Sequence, residues 1–231
     1  MKKFTLFLIL FFVPIGFCFG ESSIDNWPTG EQFRSINNND DDITRSMTVP
    51  FTEKCLSDLT YIIGDTAHMR IYSSLTLGDE LKIYDDLQLL DPMESVIKLK
   101  VFLNSFGGGA YAGFAIADQL KRVADRFEVS MYASGVVASA AVAVFIAVEN
   151  RFASEDAFFM VHEIAVPSTA GMSASDVKSM DKLFDKLTNR YIKNLVRESN
   201  KTEDDWSEMM KAETWFSAQE ALDWGLVKAV K

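Results

Sequence analysis

With 231 residues, 48% of them hydrophobic and 24% charged, the chain is long enough for one globular domain with a real core. Its formal charge is −10 and no Lys/Arg cluster stands out, which argues against nucleic acid and anionic membrane surfaces as partners. Two cysteines and two histidines are too few for a convincing zinc site.

Residues 1–20 have the layout of a secretory signal peptide. Lys2-Lys3 form a short positive start, Phe4 to Phe19 is almost wholly apolar, and Gly20 supplies a small residue before Glu21. The apolar run is short for a membrane span, so export to the periplasm or the medium is expected, with an uncleaved N-terminal membrane anchor as the alternative. Cleavage after Gly20 would leave Cys55 as the sole cysteine, read as a small buried hydrophobe. Residues 21–50 read as a polar flexible linker, because Asn37-Asn38-Asn39-Asp40-Asp41-Asp42 has no apolar period to offset its ordering entropy.

Residues 51–231 form the expected globular domain. Tyr61–Ile63 and Met69–Leu75 read as short strands, and Leu77–Leu90 as a helix with Leu81, Tyr84, Leu87 and Leu90 close to one face. Val96–Leu103 is a strand, leading into Asn104-Ser105-Phe106-Gly107-Gly108-Gly109, a glycine turn where strand hands over to helix. Ala112–Asp125 is helical and Phe127–Tyr132 a strand. Ala138–Val148, apolar on all sides, reads as a buried helix. Ala157–Val161 is a fully buried strand ending at His162. Ser175–Arg197 is a long amphipathic helix, with Val177, Met180, Leu183, Phe184, Leu187, Tyr191, Leu195 and Val196 at three-and-four spacing. Ser217–Trp224 is a short helix closed by Gly225, and Leu226–Val230 a last strand. Strand, turn and helix in repetition define an α/β fold, with right-handed crossovers expected.

Three features in this order suggest acyl transfer. Ser139 sits at a helix start, near unpaired amides and the positive end of the helix dipole, where a serine is also a favoured cap. The glycines let backbone approach a ligand closely, so the N–H groups of Gly108 and Ala140 are the candidate oxyanion donors. His162, at the C-terminal end of a strand, is the candidate general base. His68, in a polar stretch, reads as surface. No nucleotide-binding G-x-x-x-x-G-K-[ST] accompanies the glycines.

From roughly Met69 to the C-terminus the chain resembles the ClpP peptidase family. The resemblance rests on Leu99-Lys100-Val101-Phe102-Leu103-Asn104-Ser105-Phe106-Gly107-Gly108, Gly135-Val136-Val137-Ala138-Ser139-Ala140, Phe159-Met160-Val161-His162, and Phe216-Ser217-Ala218-Gln219-Glu220-Ala221-Leu222-Asp223-Trp224-Gly225-Leu226-Val227. It implies a ClpP/crotonase-like right-handed β-α superhelix, with Ser175–Arg197 as a protruding handle helix through which rings of subunits stack. It also implies a serine endopeptidase acting on peptides or unfolded proteins as a homo-oligomer, without cofactor or metal. Ser139 would be the nucleophile, His162 the base, and Gly108 and Ala140 the oxyanion donors.

The family's acid is an aspartate just before the Phe-Ser-Ala segment; Glu213 stands there, with Asp204, Asp205 and Asp223 as other candidates. Two departures stand out. Phe106 replaces a usual proline, which would change the substrate groove, and Glu163-Ile164 replace glutamine and proline, which would alter how subunits meet. An exported protein has no ATP supply, so no ATPase unfoldase is expected as partner. The alternatives are an enzyme with the serine–lysine chemistry of signal-peptide peptidases, a crotonase-like enzyme, or a catalytically inactive scaffold of the same fold.

Overall fold

A computed structural model of the protein describes residues 53–165 and 171–231. The expected signal peptide and linker lie outside them; the described residues fall in one compact unit. Among the described residues nine strands make one branched sheet. They are β1 Glu53–Cys55, β2 Thr60–Ile63, β3 Thr66–Ile71, β4 Lys98–Ser105, β5 Glu128–Ala138, β6 Asn150–Ala153, β7 Phe158–Val161, β8 Thr214–Ser217 and β9 Ala229–Val230. The helices are α1 Leu77–Leu90, α2 Ala110–Val123, α3 Ala140–Phe145, α4 Ala174–Arg197, α5 Glu203–Lys211 and α6 Ala218–Asp223.

The branch point positions the site. β3, β4 and β5 run parallel, and β5 first pairs β6 through Ser130–Ala133 and then β7 through Val136–Ala138. Between these two pairings the β4–β5 register slips, Leu103 facing Ala133 but Ser105 facing Val137. Such a bulge bends a strand and re-aims the residues beyond it. Gly135, at φ +62, lies in the bulge, where an added Cβ would fall 2.9 Å from the Asn104 carboxamide oxygen. That oxygen accepts from the Val136 N–H at 3.1 Å, so Asn104 fills the gap that the slip opens in the ladder. The end of β5 is thereby turned into a second layer, β5–β7–β8, in which β7 and β8 are antiparallel.

Several elements differ from expectation. The buried helix is only α3, because Ile146 and Ala147 close it by short-range bonds before β6 begins. β1, β6, α5 and β8 are additional to the expected elements, although Thr202 and Asp205 form a capping box at the start of α5. On α1 the buried residues are Ile83, Asp86, Leu87 and Leu90, while Leu81 and Tyr84 are exposed. The face is rotated because the Asp86 carboxylate is drawn inward by the hydroxyls of Ser57 and Thr60, 2.6 and 2.5 Å away.

His68 is not a free surface residue. It stacks between Tyr61 and Phe102, and the row continues through Tyr132 to Phe152 along one face of β2–β6. Cys55, expected as a small buried thiol, is exposed on β1 and is not free.

The long helix behaves as two halves. Ala174–Leu183 contains no buried residue, whereas Phe184, Tyr191, Ile192 and Leu195 are buried. Its first half therefore stands away from the core with Val177 and Leu183 exposed, as a protruding handle does.

Candidate active site

Ser139 follows the last residue of β5 and stands at the N-cap of α3 with φ 56 and ψ −125, a conformation that a residue with a Cβ holds only when its surroundings force it. Its N–H donates to the Met160 carbonyl of β7 at 2.8 Å. Its carbonyl accepts from the Val142 N–H at 3.0 Å and from the Tyr191 hydroxyl at 3.0 Å. The sharp strand-to-helix turn lifts the side chain clear of the sheet, and Ser139 Oγ lies 2.7 Å from His162 Nε2. His162 is the residue after β7, and because β7 pairs the end of β5 in register, the two strand ends bring base and nucleophile together.

The glycine turn closes the site from above. Gly107, at φ +90, packs so tightly on the nucleophile turn that an added Cβ would lie 2.5 Å from the Ala138 carbonyl oxygen and 2.8 Å from Ser139 Cβ. Its N–H donates to Ser105 Oγ, which in turn donates to the Ser73 carbonyl, so the turn is anchored to the β3–α1 loop. Gly108, at φ +148, bridges Leu75 in parallel fashion through the Gly107 carbonyl and the Gly109 N–H, each at 2.8 Å. In a parallel bridge the central residue's own N–H lies on the opposite edge, and Gly108 itself lines the cavity. Ala140 is the first residue of α3, where amides lack intrahelical acceptors. Among the described residues neither the Gly108 nor the Ala140 N–H has an intramolecular acceptor.

A cavity of about 510 Å³ opens beside these groups, lined largely by apolar side chains. Phe106, Tyr111, Phe114 and Ile164 contribute to its walls together with Ser139 and His162. Phe106, the residue in place of the usual proline, borders this cavity. Ile164 does so too, so one residue of the second departure lines the same cavity. Glu163 instead points to solvent, its N–H donating to the Met210 carbonyl at 3.2 Å.

The acid side is less complete. Val161 faces Thr214 across β7–β8, so the next pair in register is His162 and Glu213. Glu213 ends α5 in a left-handed conformation, φ 51, with its N–H on the same Met210 carbonyl. Its side chain is exposed, and among the described residues no carboxylate is hydrogen-bonded to the imidazole. The other candidates have different work. Asp205 caps α5 through Thr202, Asp223 accepts from Gln219, and Asp204 is exposed on the first turn of α5.

Tyr191 is a site residue that sequence reasoning misses. Its spacing marks it only as part of the apolar stripe of the long helix, although a tyrosine among aliphatic core residues needs a partner for its hydroxyl.

Comparison with known proteins bears on the family and the fold. The Clp protease family model matches residues 53–231. The ATP-dependent Clp protease proteolytic subunit 1 of Protochlamydia amoebophila is 29% identical over 179 residues, 77% of this chain and 86% of that protein. The proteolytic subunit 2 of Treponema denticola is 25% identical over 151 residues, 64% of this chain and 74% of that protein. A solved structure of a ClpP1 variant from Listeria monocytogenes superposes with a TM-score of 0.63 at 23% identity, covering 71% of this chain and 90% of that one. By its sequence and its fold, the chain belongs to the Clp protease family of peptidases.

Proposed function

We propose that the protein is a serine endopeptidase that cleaves peptides or unfolded chains through an acyl-enzyme. The observation that carries this reading is the 2.7 Å approach of Ser139 Oγ to His162 Nε2. Nε2 accepts the serine proton as the Oγ–carbon bond forms, and the carbonyl oxygen becomes an anion facing the Gly108 and Ala140 amides. Collapse of that intermediate breaks the carbon–nitrogen bond, and the proton on Nε2 passes to the departing amine. Water then attacks the ester, its proton going to Nε2 and on to the released serine.

Glu213 is the proposed acid, reached by turning its exposed side chain across the register position facing His162. A carboxylate there would fix the tautomer and stabilise the imidazolium. A crotonase-like enzyme needs the oxyanion donors but no serine within proton-transfer distance of a base, so the Ser139–His162 contact favours the peptidase. The same contact argues against a serine–lysine arrangement and against an inactive scaffold.

The exposed Val177 and Leu183 on α4 support association of copies into a homo-oligomer. The signal-like N-terminus supports export, and with it work without an ATPase unfoldase, unlike the ATP-dependent relatives. Peptidase assay of the purified protein against Ser139→Ala tests the activity, and equal turnover by the two would refute the site. N-terminal sequencing of protein from envelope and cytoplasmic fractions tests export; an intact leader on cytoplasmic protein would contradict it.

A further inference from the structure

We infer that Tyr191 is a positioning residue for the oxyanion site: its phenol, reaching in from α4, holds the 139–140 peptide plane so that the Ala140 N–H faces the developing charge. The inference rests on the peptidase reading and adds to it a residue that acts through the nucleophile's backbone.

A trans peptide is planar, with its carbonyl and its N–H pointing in opposite directions, and no peptide bond among the described residues is cis. The Ser139 carbonyl and the Ala140 N–H are the two ends of one such plane. Whatever fixes the oxygen therefore aims the amide. The Val142 N–H provides one bond to that oxygen from within α3, and the Tyr191 hydroxyl provides a second at 3.0 Å from another element. Two donors from different directions stop the plane from tilting, which a single bond would allow. Donation to the carbonyl also polarises the amide and strengthens its N–H as a donor.

Tyr191 is well held for this role. It is buried, its ring lies edge-on to Phe114 at 6.3 Å, and the neighbouring Arg190 guanidinium sits 4.9 Å above the same Phe114 ring. Arg190 also pairs with Asp118 of α2 at 2.8 Å, tying α4 to α2 beside the clamp. Burial pushes the phenol pKa up, so the hydroxyl keeps its proton wherever a histidine base operates. The nucleophile's backbone is thus coupled to the long helix, and a shift of α4 by an ångström would loosen the oxyanion site.

Tyr191→Phe keeps the ring and removes only the hydroxyl. Loss of a whole oxyanion donor costs about 10²–10³ in rate, so misaiming one is expected to lower kcat by about tenfold to a hundredfold. KM, the affinity for a product peptide and the melting temperature should stay at wild-type values. Affinity for a peptide aldehyde, which becomes a tetrahedral adduct on Ser139, should fall by the same factor as kcat. A kcat equal to wild type, or a loss that shows instead as a raised KM with product affinity weakened by the same factor, overturns the clamp. Wild-type protein that neither turns over peptide nor reacts with a fluorophosphonate overturns the peptidase reading instead. A crystal structure of Tyr191→Phe then decides the clamp alone: a rotated 139–140 plane supports it and an unmoved one refutes it.

Discussion

The two sides of the His162 imidazole are built differently. On the serine side the nucleophile's backbone is held from several elements: Ser139 is bonded to Met160, Val142 and Tyr191, and Gly107 leaves no room for a methyl group above it. On the acid side Glu213 is an exposed side chain at a helix end, set by register alone. Strain can be stored where packing and hydrogen bonds hold it. A solvated carboxylate is held by little and screened by water. The difference predicts that the serine side supplies nearly all of the rate and tolerates almost no change, whereas the acid side is adjustable.

Substitutions on the two sides should therefore differ by orders of magnitude. Ser139→Ala is expected to lower kcat by about 10⁶-fold with the fold intact, as loss of a nucleophile does in serine peptidases; steady-state peptide hydrolysis and a thermal melt read both. Gly108→Ala comes next. Its methyl would fall 2.4 Å from the Leu75 carbonyl oxygen at a φ of +148, so the turn must shift, and a fall in kcat of about 10²-fold or more is expected from the displaced donor. If Gly108→Ala were as active as wild type, that amide would have no part in the reaction.

Glu213→Gln sharpens the comparison most. An exposed charge contributes at most about 1 kcal/mol, so a loss below about tenfold is expected. A loss near 10⁴, the size seen when a buried triad acid is neutralised, would mean that Glu213 closes onto His162 in the working enzyme.

The smallest effect lies away from the site, where Arg151 of β6 joins Glu198 at the end of α4 at 2.8 Å. Burial opposes ionisation of Glu198, but bonds from Arg197 and Arg151 outweigh it and leave its pKa below the usual carboxylate range. A carboxyl with a depressed folded pKa stabilises the fold above its unfolded pKa and loses that contribution as pH falls through the folded value. The melting temperature should accordingly drop on acidification below about pH 4.5, and Glu198→Gln should flatten that drop while leaving kcat unchanged. An identical acid limb in the variant would contradict the assignment.

Much of this is legible in the sequence, for definite reasons. The glycine turn, the serine before an apolar helix and the histidine at a strand end are short-range patterns with a mechanism, and the structure joins them. Apolar and β-branched residues reveal β4 and β5, whose buried positions alternate with partly exposed ones, and β7, where three successive residues are buried. The features that escape depend on tertiary context. The branching of β5 comes from a register slip that composition does not mark, and β8 is a strand only because β7 lies beside it. The face of α1 is misread because a buried aspartate with two hydroxyl partners looks like polar surface until those partners are in place. Tyr191 is hidden by its periodicity, which describes where the ring packs and says nothing of where its hydroxyl goes.

The central claim is that Ser139 is activated by His162 at an oxyanion site made of main-chain amides. A fluorophosphonate probe on the folded protein, with the adduct mapped by mass spectrometry, tests it most directly. The account predicts one adduct, on Ser139, that disappears in His162→Ala. An unreactive wild-type protein, or a His162→Ala variant that reacts at the wild-type rate, would contradict it.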